Sequence, residues 1–63
     1  MKKGDKVMIK YSGKIGIIVE KFRFRRGADR LIYFIETPKR ECIGAIWKDL
    51  RKLTNEEYVT EAL

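Results

Sequence analysis

Apolar and polar residues alternate along the first part of the chain, as they do in a β-strand with one buried face. In residues 5–11, Val7 and Ile9 fall on one side, whereas Met8 and its neighbouring lysines fall on the other. Successive side chains of a strand point to opposite faces, so this period of two predicts a half-buried strand. A turn follows, in which Gly13 is expected to adopt a positive φ angle at no steric cost.

The second apolar segment, residues 15–24, is long for a strand in a small protein, and its apolar residues change face. Ile17 belongs to one side of the segment, whereas Ile18 and Phe22 belong to the other. A straight strand in a one-sided sheet cannot bury both sets. The pattern therefore predicts a strongly bent strand whose two halves serve different sheets of a barrel. Gly16 is the expected position of a close backbone approach or a β-bulge.

Turn residues separate the predicted strands that follow. A polar hairpin tip at residues 25–29 leads to the apolar segment 31–35, whose β-forming residues predict a central strand. Pro38 marks the next turn, because it has no N–H group for a strand ladder. Residues 41–47 predict a fourth strand, in which Gly44 permits curvature.

The last part of the chain changes character after one more short strand. A 3₁₀ turn and a closing strand are expected to bury Leu50 and Leu53. Thr54 and Glu57 then match the capping-box pattern S/T-x-x-E, which predicts that a helix begins there. Tyr58 is expected to dock this helix against the strands.

Short strands at regular turns favour an all-β fold over a βαβ unit. We expect residues 1–53 to form a five-stranded barrel, and residues 54–63 to form a short helix or a frayed tail. A chain of 63 residues buries only about 60% of its unfolded surface, which predicts marginal stability.

Two short motifs resemble those of a known class of small β-barrels. The segment "GDKVMI" at residues 4–9, followed by "GKIGII" at 13–18, resembles the KOW-type start of SH3-like barrels. The later "WKDLRKL" at residues 47–53 is similar to the final turn and strand of many such barrels. The resemblance implies an SH3-like barrel whose first and last strands pair. It also implies a partner among RNA, DNA or other proteins.

The positive net charge of the chain favours partners that are negatively charged. The chain has 15 Lys and Arg against 9 Asp and Glu, for a net charge of +6 and a pI near 9.7. On so small a surface this field attracts polyanions such as nucleic acid or an acidic protein face, although plain solubility is the simpler explanation.

Residue types that carry common chemistry are scarce. The chain has no histidine, and its single cysteine, Cys42, is expected to be a buried hydrophobe in a reducing, cytoplasmic setting. We therefore predict no enzyme activity, catalytic residue, metal site or cofactor. No apolar run approaches the roughly 20 residues that a membrane span needs, so we expect no membrane partner.

The strongest candidate site is the basic ribbon of residues 21–30. Cationic residues alternate with Phe22 and Phe24, which would place two aromatic rings on one face and a basic row on the other. The cations of this ribbon are Lys21, Arg23, Arg25, Arg26 and Arg30. Such a ribbon can follow a phosphate backbone while exposed rings stack on bases. Alternatively, both phenylalanines belong to the core and the arginines only solvate an edge strand.

Further candidates surround this ribbon. Tyr33 and Trp47 are expected to supply stacking beside Tyr11, with a core position as the alternative for Trp47. Lys10, Lys14 and Lys48 would extend the phosphate track. If the first and last strands pair, two lysine groups would merge into one patch, and a solvated face is the alternative. These groups are Lys2, Lys3, Lys6, Lys10 and Lys14, with Lys48, Arg51 and Lys52.

Three functions remain open at this point. The first is nucleic-acid binding with little sequence preference, for DNA or RNA. The second is a protein-interaction module, such as a phage or plasmid regulator that docks on an acidic host protein. The third is a subunit of an enzyme whose active site forms only at the centre of an oligomer. A homodimer is also plausible for so small a chain with free sheet edges.

Overall fold

The computed structural model describes residues 1–23 and 31–62, and in these ranges the protein is mostly β. Five antiparallel strands form one open sheet, and one short α-helix follows them. The strands are β1 (Lys6–Ile9), β2 (Ile15–Arg23), β3 (Leu31–Glu36), β4 (Cys42–Ile46) and β5 (Leu50–Lys52). A 3₁₀ turn occupies Trp47–Asp49, and helix α1 occupies Asn55–Ala62.

The strand order in the sheet is β4-β3-β2-β1-β5. The segment predicted as a central strand, now β3, does lie between two neighbours. The first and last strands pair as expected, with Val7 opposite Lys52 and Ile9 opposite Leu50. The sheet therefore joins residues from the two ends of the chain.

One face of the sheet, called the inner face here, carries the core. Val7, Ile9, Ile18 and Ile35 are its largest fully buried side chains. Tyr33, Ala45 and Leu50 complete the same cluster. The alternation in β1 thus predicted its buried residues correctly, because a strand can bury only every second side chain against one face.

The two edges of the sheet approach each other at the 3₁₀ turn. β4 and β5 are the opposite edge strands, yet only three residues separate Ile46 from Leu50. In a flat sheet four strand spacings would place these edges about 19 Å apart. A connection of this length reaches at most about 14 Å. The sheet must therefore curl around the inner face, which explains how one sheet buries its own core.

Strand β2 bends at a bulge, but not at the predicted glycine. Its pairing with β3 shifts between Ile18 and Glu20, which makes Val19 the extra residue. After such an extra residue, each following side chain of the strand points to the face opposite the one that simple alternation predicts. Ile18 and Phe22, predicted to share a face, consequently lie on opposite faces. Gly16 confirms the other predicted feature, a close backbone approach, because it lies against the backbone of Glu36.

The turns follow the predicted chemistry. Gly13 has a φ angle of +73°, as expected. In the turn containing Pro38, the backbone N–H of Arg40 donates to the carbonyl of Thr37 at 2.9 Å, and Arg40 itself has a φ angle of +64°. The prediction that Cys42 is buried was wrong. Cys42 is exposed, because it pairs with Glu36 at the end of the β3–β4 ladder, on the face away from the core.

The capping box is confirmed in both directions. The backbone N–H of Glu57 donates to Thr54 Oγ1 at 3.1 Å, and the backbone N–H of Thr54 donates to Glu57 Oε1 at 3.0 Å. Helix α1 packs against β1 and β2. Half-buried Tyr58 lies below Lys6, whose Nζ is 5.8 Å from the ring centroid. A short helix that would be marginal alone is held by these contacts.

Acid is expected to loosen this helix. The backbone N–H of Thr54, and then the Arg51 guanidinium, hold the pKa of Glu57 below its ordinary value of 4.5. A lowered folded-state pKa adds stability above the ordinary value, and this is lost as pH falls through the lowered one. The protection factors of the amides of residues 55–62, which correct for the intrinsic slowing of exchange in acid, should therefore fall below about pH 4.5.

The matched control for this prediction is Glu57→Gln, which cannot titrate. Its helix should exchange faster than that of the unmodified protein at neutral pH, and it should respond less to acid. An identical acid response in both proteins would mean that another group controls the helix.

Among residues 1–23 and 31–62, no helix is long and apolar enough to cross a lipid bilayer.

Candidate nucleic-acid interface

The far end of β2 presents two exposed cations side by side. Lys21 pairs with Tyr33 of β3 and Arg23 pairs with Leu31, so the two cations share one face. Beyond Ile18 this part of β2 has only β3 as a strand neighbour in the described residues. Neither cation forms an ion pair with a carboxylate in residues 1–23 or 31–62. Within these ranges, no carboxylate neutralises the charge of either cation.

Phe22 lies between these cations and points to the opposite face, as the alternation predicts. Its side chain is 53% exposed, so the alternative that Phe22 belongs to the core is wrong. The remaining predicted members of the ribbon, Phe24, Arg25, Arg26 and Arg30, lie outside the described residues.

Tyr33 was predicted to stack on bases, and the structure corrects this. Tyr33 is only 5% exposed and belongs to the core cluster. It pairs with buried Ala45 of β4 and shares the inner face with Ile35, so its ring points into the core. It is unavailable to a ligand on the surface.

Trp47 is at the surface rather than in the core. Its side chain is 51% exposed, and Lys48 Nζ lies 5.8 Å from the ring centroid. The 3₁₀ turn also brings Lys10 close, because the backbone N–H of Lys10 donates to the carbonyl of Asp49 at 2.8 Å. Lys48 and the indole of Trp47 thus lie together at the surface, and the backbone of Lys10 adjoins the same turn.

Lys14 is less suited to phosphate binding than predicted. Its Nζ lies 3.1 Å from Glu41 Oε2, in an ion pair that links the β1–β2 and β3–β4 turns. These turns are at the end of β2 opposite Lys21 and Arg23. The predicted continuous track is therefore divided between two ends of the strand.

The larger lysine patch is partly neutralised. Four of the cations near β1 and β5 have carboxylate partners: Lys3 with Glu20, Lys14 with Glu41, Arg51 with Glu57, and Lys52 with Asp5. The backbone N–H of Lys2 donates to Asp5, and this bond, more than the charge of Lys52, lowers the Asp5 pKa. The merged patch thus has a weaker field than its cation count suggests.

Sequence reasoning missed an apolar surface on the face opposite the core, called the outer face here. Phe22, Ile32 and Ile46 are direct partners across β2, β3 and β4, and Phe34 pairs with Gly44 in a neighbouring row. Ile46 is 37% exposed. The signal was present in residues 31–35, which are apolar on both faces, but it was interpreted only as a central strand.

The outer face contains an open depression, and Tyr11 and Asp49 form part of its lining. With Ile32, Phe34 and Ile46 they line a volume of about 360 Å³. A second cleft of about 260 Å³ lies between the turns and the end of α1, and the Lys14–Glu41 ion pair spans its rim. In the described residues, no three Cys, Asp or Glu side chains come together as a metal site would require.

Comparisons of the chain with protein-family models, with curated proteins and with solved structures find no match.

Proposed function

We propose that this protein binds nucleic acid, mainly through phosphates and with little sequence preference. The observation that carries the proposal is the exposed pair Lys21 and Arg23, which share one face and have no carboxylate partner in the described residues. Cations arranged in this way contact consecutive phosphates, and a net charge of +6 steers a polyanion toward them. The proposal also assigns phosphate contacts to Arg25, Arg26 and Arg30, on their charge alone.

The proposal includes a fold and a location. The strand order, the β1–β5 pairing and the short connection between opposite edges support a closed barrel of the SH3-like kind. One unpaired cysteine suits a reducing compartment, which supports a cytoplasmic protein.

The first test is the salt dependence of binding. Anisotropy of labelled DNA and RNA oligonucleotides should show affinity falling on the order of tenfold or more between about 50 and 200 mM salt, because phosphate contacts release counterions. An affinity that does not change with salt would contradict the phosphate mechanism.

The second test is charge reversal with a matched control. Lys21→Glu/Arg23→Glu should weaken binding about tenfold or more at low salt. The slope of log affinity against log salt concentration should also become less steep, by the amount expected for the loss of about two phosphate contacts. Lys39→Glu/Arg40→Glu makes the same change in net charge, in an exposed turn at the other end of β2. Equal losses in both variants would mean that net charge, and not this strand end, attracts the ligand.

The exposed indole of Trp47 favours a second candidate, docking on an acidic protein. Exposed tryptophans flanked by cations are common anchors of protein interfaces. This alternative would be established by two results together. The protein should show no affinity for oligonucleotides, and a pull-down with it should recover one protein partner whose binding survives nuclease treatment.

A further inference from the structure

We propose that two copies of this chain associate through β4, whose free edge pairs antiparallel with the same edge of a second copy, centred on Gly44. The β4 edge means here the side of Cys42–Ile46 that does not face β3. The proposal concerns assembly and does not depend on nucleic-acid binding. Three observations carry it: backbone groups without a partner, the absence of charge along the strand, and a register in which the strand complements itself.

The β4 edge has backbone hydrogen-bonding groups to spare. In the β3–β4 hairpin, the backbone N–H of Thr37 donates to the carbonyl of Glu41 at 2.9 Å. Hydrogen-bonded pairs recur at every second position of an antiparallel ladder, so Cys42, Gly44 and Ile46 turn their N–H groups away from β3. Among the described residues, no hydrogen bond uses these N–H groups or the carbonyls of Cys42 and Gly44. Such an edge is a template for another strand.

This edge is also open to an incoming strand. In the described part of the chain, β3 is the one strand that pairs with β4. Cys42 and Gly44 are exposed, and Ile46 is 37% exposed. The open depression of about 360 Å³ adjoins the strand, since Gly44, Ala45 and Ile46 line it together with Tyr11. A second strand can therefore reach the unpaired backbone groups.

The two edge strands of the sheet differ in charge. β5 has only three residues and carries Arg51 and Lys52, and short charged strands resist edge-to-edge pairing. β4 has five residues, CIGAI, and none of them is charged or a proline. Two copies that each carry a net charge of +6 repel one another. A neutral strand is therefore the place where they approach with least repulsion.

β4 is complementary to itself about a two-fold axis. With Gly44 opposite Gly44 of the second copy, all five residues of both strands are aligned. The axis is where a side chain would meet its own copy, and glycine leaves that space empty. Cys42 then lies opposite Ile46 of the second copy. Ile43 lies opposite Ala45, so each of these pairs joins a larger side chain to a smaller one.

The same register gives the spare backbone groups their partners. The N–H of Gly44 donates to the carbonyl of Gly44 in the second copy, and the reverse bond forms by symmetry. The N–H of Ile46 donates to the carbonyl of Cys42 in the second copy. A second copy is therefore a partner whose strand this edge matches residue by residue.

Sedimentation velocity from micromolar to millimolar protein tests the proposal. A ladder of five residues buries less than the roughly 1,200–2,000 Å² of a stable interface, so we expect a weak dimer that forms as concentration rises. Added salt should strengthen it, because salt screens the repulsion between the two positive copies. A protein that stays monomeric at millimolar concentration in moderate salt would overturn the proposal.

Gly44→Lys should weaken this association about tenfold or more, because the two lysines would lie directly opposite each other at the axis. Val59→Lys is the matched control, since it adds the same charge on the exposed side of α1. It should associate like the unmodified protein. Equal losses in the two variants would mean that net charge, and not the β4 edge, controls the association.

Disulfide cross-linking tests the register. In the proposed pairing, Cys42 and residue 46 of the second copy have Cα atoms about 5.5 Å apart, which a disulfide can span. Ile46→Cys should therefore give a covalent dimer under a mild oxidant such as oxidised glutathione. Val59→Cys, with its second cysteine away from the edge, is the matched control and should cross-link far less. Equal cross-linking of both variants would overturn the pairing.

Amide exchange of the unmodified protein gives a readout that needs no variant. The N–H groups of Gly44 and Ile46 should become protected as protein concentration rises, because they gain acceptors only in the dimer. Those of Ile43 and Ala45 face β3 and should be protected at every concentration. A dimer in which Gly44 and Ile46 still exchange fast would show that another surface is used, and would overturn the proposal.

Discussion

Replacing Gly16 with alanine is expected to remove a large part of the protein's free energy of unfolding. A Cβ atom at this position would lie 2.5 Å from Ile35 Cγ2 and 2.6 Å from the backbone oxygen of Glu36. The backbone oxygen cannot rotate away, so β2 and β3 would have to separate in the core. Overpacking of this kind costs about 3 kcal/mol or more. The whole domain has only about 3–9 kcal/mol of stability for its length.

Gly44→Ala is the matched control, since both glycines lie inside strands. At Gly44 the nearest atoms to a new Cβ are side-chain carbons at 3.4 and 3.6 Å, which is close to ordinary contact. We expect a change below about 1 kcal/mol there. Urea unfolding followed by circular dichroism measures both variants. A Gly16→Ala midpoint close to that of Gly44→Ala would show that the strands are not so tightly apposed.

The second large effect is expected for Ile9→Ala, with a loss of about 2–5 kcal/mol. Ile9 is fully buried in the core and lies opposite Leu50 of β5. Its truncation opens a cavity where the first and last strands meet. The protein should melt well below the temperature of the unmodified chain.

Ile46→Ala removes the same atoms from the outer face. Because Ile46 is already partly in water, the change should cost about 1 kcal/mol or less. Thermal unfolding of the two variants therefore tests which face of the sheet is the core. Similar losses at both positions would mean that the outer face is covered in solution.

The local patterns were the part of the fold that sequence could predict. Val7 and Ile9 follow from strand periodicity, and the Thr54–Glu57 capping box follows from side-chain hydrogen bonding within one turn. Both depend on neighbours in sequence alone. Burial of Leu50 and Leu53 after a 3₁₀ turn was confirmed for the same reason.

Features decided by strand pairing could not be predicted in this way. The bulge lies at Val19 because the β2–β3 register shifts there, and no residue type at that position requires it. In β3, Tyr33 and Ile35 face inward while Ile32 and Phe34 face outward, although all four are apolar. Only the curl of the sheet decides between these two sets. Because of this curl, Tyr33 lies in the core and not at the candidate site, whereas Phe34 lies on the outer face.

The pairing of β1 with β5 also bears on how the chain is made. The partner residues of β1, Leu50–Lys52, lie about forty residues after it in the chain, so the ribosome completes β1 well before β5 emerges. Until β5 emerges, the backbone hydrogen-bonding groups along one edge of β1 have no strand partner, and Ile9 cannot pack against Leu50. Contacts between distant residues form slowly and leave strand edges exposed in the meantime. The nascent protein is thus most exposed to wrong strand pairing just before its last strand arrives.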